Sequence, residues 1–132
     1  MARFCKYTRH LLLTSSLFFL FSCQEGSDAG DLLGQWRLND SENYIAFSGS
    51  VVVMRAIAQG QIKSQIFGNF QRSSDSIFIQ CYSIHGEPQD TITVEEGFGF
   101  TPFTNIRLKI EKLDADRLMF SKEKQTWNFN KY

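Results

Sequence analysis

Ile106-Arg107-Leu108-Lys109-Ile110-Glu111 decides how this chain is read. Large aliphatic residues alternate with charged ones at a period of two. Successive side chains of an extended strand point to opposite faces, so this segment has one greasy face and one solvated face. A helix would spread the same residues around its axis and bury charge. Strands with one apolar and one charged face belong to antiparallel sheets that are wet on one side.

The pattern repeats on both sides of this segment. C-terminally, Asp114-Ala115-Asp116 turns the chain, Leu118 and Phe120 share a face, Lys122-Glu123-Lys124 turns it again, and Trp127 alternates with Phe129. N-terminally, Ser76–Tyr82 sets Ile77, Ile79 and Cys81 against Phe78, Gln80 and Tyr82. Before it stand Gln61–Arg72, Val51–Ala56, Asn43–Phe47 and Gly34–Asn39, separated by turn residues such as Ser48-Gly49-Ser50 and Ser73-Ser74-Asp75. Gly68 inside Gln61–Arg72 predicts a bulge or bend. Seven to nine short strands result, mostly joined by tight turns. No stretch offers a long amphipathic helix, and there is no internal repeat.

Asp90–Asn105 is the irregular part. Asp90-Thr91-Ile92-Thr93-Val94 reads as one more strand. The following Glu95-Glu96-Gly97-Phe98-Gly99-Phe100-Thr101-Pro102-Phe103 reads as a long loop, because glycine and proline break strand pairing. Three large rings on that loop need an apolar place to go. The expected architecture is therefore all-β. An antiparallel up-and-down meander of about eight strands that hides one face avoids open edges by closing into a small barrel. The alternative is an open two-sheet β-sandwich, which suits the same alternation.

The front of the chain differs. Arg3, Lys6 and Arg9 precede the apolar run Leu11–Phe21, which ends at Leu20-Phe21-Ser22-Cys23. About 20 apolar residues are needed to span a bilayer, and this run has about half that. A basic start, a short apolar middle and a small residue before a cut describe a secretory signal. The Leu-Phe-Ser-Cys ending resembles the lipobox of bacterial lipoproteins. That resemblance implies cleavage after Ser22 and acylation of Cys23, so that residues 1–22 form the leader. Residues 23–30 are then the lipidated cysteine and a small acidic tether, lacking apolar surface to offset the entropy of ordering. The globular domain is expected over residues 31–132. Acyl chains contribute about 0.8 kcal/mol per buried methylene and hold a protein to a membrane without a spanning segment. Gln24 is not the aspartate that retains lipoproteins at the inner membrane in some Gram-negative bacteria, and the acidic tether resembles surface-export signals of Bacteroides-group lipoproteins. The expected location is the outer membrane of the cell envelope.

Removing 22 of 132 residues leaves 110, which is one core and one domain. All 14 acidic residues and 11 of the 14 basic ones remain, so the formal charge falls from zero to 11 − 14 = −3. Such a balance excludes a nucleic-acid binder resting on phosphate contacts. Cys5 leaves with the leader and Cys23 takes lipid, so Cys81 has no disulfide partner. Its strand parity with Ile77 and Ile79 predicts a buried apolar thiol.

Leu32-Leu33-Gly34-Gln35-Trp36-Arg37-Leu38 opens the first strand just after the tether. It resembles the Gly-x-Trp signature of lipocalins, and residues 31 to 132 resemble the lipocalin-like lipoproteins of Bacteroides-type bacteria. The resemblance implies that Gly34 and Trp36 close one end of a barrel, under a basic residue near the last strand. Lys124 and Lys131 are the candidates for that residue.

Catalytic constellations are not evident. His85 is the one histidine after the leader, too few for a metal site built on nitrogen or sulfur ligands, so no metal and no cofactor are expected. Ser74, Ser76 and Ser83 lie in no nucleophile-elbow context, and adjacent Glu95 and Glu96 read as solvated loop residues. No glycine-rich phosphate loop appears. The reading is not enzymatic. Nine phenylalanines, three tyrosines and two tryptophans remain after residue 22. They either line a pocket for a small hydrophobic or amphipathic ligand, with Phe98, Phe100 and Phe103 as its candidate lid, or fill the barrel outright. The first alternative makes the protein an envelope-anchored ligand binder. The second makes it a ligand-free adaptor that docks an envelope protein. A small hydrolase built around His85 is the remote third.

Overall fold

The computed structural model describes residues 29–132. The leader, Cys23 and most of the tether lie outside them. Eight strands follow the sequence order: β1 Gly34–Leu38, β2 Tyr44–Ser48, β3 Val51–Ala58, β4 Gln61–Ser73, β5 Ser76–Tyr82, β6 Ile106–Leu113, β7 Arg117–Lys122 and β8 Gln125–Lys131. Each pairs antiparallel with its neighbour, and β1 pairs back onto β8 through Trp36 opposite Lys131 and Leu38 opposite Phe129. This last ladder closes the sheet into an eight-stranded barrel and excludes the open sandwich. Closure leaves no edge strand to pair with another chain.

The alternation sorts the side chains as the sequence predicts. Ile106, Leu108 and Ile110 of β6 point inward and are buried, while Arg107, Lys109 and Glu111 point outward. Trp36, Ile45, Phe47, Val52, Met54, Ile66, Phe70, Ile77 and Ile79 continue that inner face on β1 to β5, and Leu118, Phe120, Trp127 and Phe129 on β7 and β8. Ala29, the first described residue, is fully buried just ahead of a 3₁₀ turn over Gly30–Leu32.

Two expectations need correction. Gly68 marks no bulge, since both the β3–β4 and the β4–β5 ladders run in regular register past it, with Gly68 opposite Val52 and Cys81. A Cβ there would lie 2.9 Å from the Gln80 carbonyl oxygen and 3.1 Å from Val52 Cγ1, so glycine lets the wall close up. The register breaks fall instead between Ala56 and Ile57 of β3, and between Ile110 and Lys112 of β6.

The second correction concerns Asp90–Val94, which is helical. A short helix α1, Pro88–Ile92, runs directly into a π-helical turn, Thr93–Phe98. Pro88 supplies the fixed φ of a first helical position, where its missing N–H is not needed. The Thr93 hydroxyl donates to the Gln89 carbonyl four residues back. The buried residues are Thr93, Val94 and Phe98, spaced four and five apart rather than two. In so short a β-branched run, alternation mimics a strand. The helical spacing appears only once Phe98 is included.

Candidate functional site

The two ends of the barrel are built differently. At one end lie the first residues of β1, the last of β8 and the 3₁₀ turn. Trp36 is fully buried there, and its indole Nε1–H donates to the Leu32 carbonyl at 2.9 Å. Lys131 covers it, with Nζ 4.3 Å from the ring centroid, and Nζ also donates to the Leu33 carbonyl. Of the two candidate cations, Lys131 is the one that covers the tryptophan. Gly34 has φ +117°, and a Cβ there would sit 2.5 Å from Lys131 Nζ. Glycine thus supplies both a backbone angle unfavourable to L side chains and the space the ammonium occupies.

At the opposite end, the mouth, the insert between β5 and β6 turns into the barrel. Phe98, Phe100 and Phe103 are all buried and join the core. Phe98 stacks on Phe100 at 5.9 Å, and Phe100 meets Trp127 at 5.1 Å and the edge of Phe120 at 6.4 Å. The Trp127 indole donates to the Phe98 carbonyl at 2.6 Å. Gly99, at φ +81°, makes the turn that allows this. The Phe103 N–H donates to the Glu95 carboxylate at 2.9 Å, its carbonyl accepts from the Cys81 N–H at 3.1 Å, and Lys122 Nζ donates to the Thr101 carbonyl at 2.6 Å. The three rings therefore sit inside the barrel as a plug, fastened on several sides. Glu95, read from the sequence as solvated, is one of those fasteners. Nothing in its own neighbourhood of the chain signals this, because its partner lies eight residues away across a glycine-broken loop.

Between the two ends the interior is filled. Trp36, Ile45, Val52, Ile79, Phe100, Ile106 and Phe120 keep no accessible surface. A void holding even one water would expose the atoms around it, so none borders these residues. Phe47 meets Phe70 edge-on at 5.1 Å and Phe120 at 6.4 Å, and Phe120 meets Phe129 at 5.6 Å. Such tilted contacts suit aromatic quadrupoles and pack the axis closely. Clefts do lie on the outside: one of about 730 Å³ beside the β1–β2 turn, and one of about 630 Å³ on the outer wall around Phe78 and Arg107.

Chemistry-bearing residues stay apart. A cleft of about 420 Å³ beside the mouth gathers His85 with Ser64, Glu87 and Asp90, yet His85 hydrogen-bonds to none of them. The Ser83 hydroxyl donates to the Asp90 carboxylate instead, and accepts from the Glu87 N–H. Among the described residues no hydrogen bond joins the His85 imidazole to a serine, the contact from which nucleophilic catalysis by a hydroxyl starts. Ser74 and Ser76 belong to the β4–β5 turn at the far end. Among the described residues no three histidine, cysteine, aspartate or glutamate side chains gather as metal ligands. Cys81 is buried, and burial pushes its thiol up to about 12, far from a thiolate nucleophile at neutral pH. Sequence reading misses that Ile84 and Ile92 stand exposed on the insert at 60% and 45%, Ile84 lining the same cleft as the half-exposed Tyr82.

A closed eight-stranded meander, with a tryptophan under a lysine at one end and a plugged mouth at the other, defines a small lipocalin-type barrel. The chain belongs to the lipocalin-like domain family, whose model matches residues 17–132. Two solved structures have the same fold. One is a lipocalin-like protein from Bacteroides uniformis, with a TM-score of 0.64 and 20% identity over 77% of this chain and 99% of that one. The other is an uncharacterized protein from Bacteroides eggerthii, with a TM-score of 0.62 and 18% identity over 76% of this chain and 98% of that one. No curated protein matches the chain.

Proposed function

We propose that this protein is an envelope lipoprotein, cut after Ser22, acylated on Cys23 and held at the outer membrane, whose barrel works closed as a rigid head that docks another envelope protein. The filled interior carries this reading. A lipocalin-type ligand needs a cavity, and emptying this one means withdrawing Phe98, Phe100 and Phe103, each worth roughly 1.5–3 kcal/mol of burial. Recognition then falls to the outside. Exposed Ile84, Ile92 and Tyr82 beside the mouth are the apolar surface such a partner would cover.

A second reading keeps a small hydrophobic or amphipathic ligand in the barrel, entering by displacing the plug. It is favoured by the π-helical turn over Thr93–Phe98, since such turns frequently mark functional positions. Native mass spectrometry of the processed protein from its own cells separates the two. The closed head gives the acylated chain alone. A small molecule retained at one per chain supports the displaced plug and overturns the closed head.

A further inference from the structure

A closed, filled barrel needs one apolar face, the inner one, and β6 obeys this with Arg107, Lys109 and Glu111 outside. The strands on the other side do not. Tyr44-Ile45-Ala46-Phe47 and Val51-Val52-Val53-Met54 are apolar on both sides. Ile45, Phe47, Val52 and Met54 take the interior, which leaves Tyr44, Ala46, Val51 and Val53 half-buried on the outer wall. Strand register lines such residues up. Ala46, Val53, Phe67 and Tyr82 stand opposite one another in turn across β2 to β5 as an apolar row. The adjoining row is Arg37, Tyr44, Arg55 and Gln65, across β1 to β4. Neither row holds an aspartate, a glutamate or a lysine. Aromatic rings and arginine with few other charges are the composition of protein contact surfaces.

The two arginines are held in place. Arg55 lies over the Tyr44 ring at 5.4 Å, donates to its hydroxyl at 2.9 Å, and donates to the Gln65 side-chain oxygen at 2.7 Å. Arg37 lies 6.0 Å from the centre of the Tyr132 ring, which stacks on Tyr44. Among the described residues neither arginine is in an ion pair. An occupant of this wall therefore brings carboxylates beside apolar side chains.

The chain itself presents that combination next to the wall. The cleft of about 420 Å³ has Gln65, Phe67 and Tyr82 on its wall side and Ile84, Glu87 and Asp90 on its insert side. The Asp90 carboxylate accepts the Ser83 hydroxyl, and Lys63 shares the cleft without pairing with either acid. We infer that a second copy of this chain covers the wall, each copy laying Ile84 and Glu87 of its insert on the apolar row and Arg55 of the other. Adjoining surfaces that complement each other are what two copies exchange about a two-fold axis. This names the partner of the closed head proposed above and rests on that reading.

The test uses the full chain, processed in a bacterial host and extracted in mild detergent. Native mass spectrometry counts the chains, and a dilution series gives the dissociation constant. The unsubstituted protein should be a dimer. Arg55→Glu and Glu87→Arg should each raise the dissociation constant about tenfold or more, since like charges then meet twice across the axis. Mixing the two variants should restore a heterodimer, because every facing pair is again of opposite sign. Val53→Asp, in the middle of the apolar row, should also give monomers, with circular dichroism showing that the barrel persists. A dimer indifferent to these changes, or charge variants that stay apart on mixing, overturns the assigned surface. A lipid or a different protein held on the wall in place of the second copy overturns the choice of occupant. A ligand-free monomer overturns this inference alone, whereas a small molecule retained at one per chain overturns the closed head.

Discussion

Lys131 caps Trp36: the ammonium of the penultimate residue lies 4.3 Å from the centre of a ring 95 positions earlier in the chain, and bonds the carbonyl of Leu33. One side chain thus ties the last strand to the first where the barrel closes. Cation–π contacts are worth about 0.5–2 kcal/mol, and a charged hydrogen bond adds about 1.5–3 kcal/mol. Lys131→Ala should destabilise the domain by about 2 kcal/mol in urea unfolding, with Lys131→Arg recovering part of the loss. An unchanged midpoint would show that the cap contributes nothing.

Gly34→Ala forces a Cβ into the lysine's place at a φ that L side chains rarely adopt. Its cost should be about 1–3 kcal/mol. In the double variant with Lys131→Ala, the steric part of that cost disappears and the backbone part remains. The two changes should therefore add to less than their sum, which a double-mutant cycle measures. Strict additivity would mean that the glycine is required for its backbone angle alone.

Glu95 holds the plug by accepting the Phe103 N–H. Glu95→Ala leaves that donor without its partner and should cost about 1–3 kcal/mol. The loss should concentrate in the insert. Amide exchange over 93–103 should accelerate more than exchange in β2 and β3. Uniform acceleration across the barrel would make the plug inseparable from the global fold.

Cys81 has a thiol pushed by burial from 9.0 to about 12. In the unfolded chain it ionises from about pH 9, while the folded protein keeps its proton. Stability therefore falls as pH rises between 9 and 12, by up to about 1.4 kcal/mol per pH unit. Cys81→Ala should flatten that alkaline slope at some cost from the small cavity. In the native protein at pH 8 the thiol should resist a disulfide reagent until unfolding exposes it. Prompt reaction without unfolding would contradict its burial.

Gly68→Ala places a methyl 2.9 Å from the Gln80 carbonyl oxygen and against Val52. Backbone must shift, and overpacking of this kind costs about 1–3 kcal/mol. A shift in thermal midpoint without loss of the β-type circular dichroism is expected. A neutral change would mean that the wall yields there.

The walls of this protein were legible residue by residue. Ile106 to Glu111 alternate because a strand has period two, and the structure sorts them as the chain order implies. Asp114 marked a turn, and its carboxylate does accept the N–H groups of Asp116 and Arg117, which hold it below the usual aspartate range. Gly34 and Trp36 stand on the first strand where Lys131 of the last strand covers them. The insert was not legible, because its helix is five residues long and its anchors, Glu95 with Phe103 and Trp127 with Phe98, are set by distant chain segments.

The division has a physical reason. Strand, turn and burial side follow from neighbours one and two residues apart, so the sequence by itself determined an all-β meander with an apolar inner face. Whether the nine buried aromatic rings surround a space or occupy it depends on how eight walls converge, a question of volume that no local pattern contains. Only the tertiary structure decided that Phe98, Phe100 and Phe103 turn inward, that Lys131 rather than Lys124 covers the tryptophan, and that the barrel is solid.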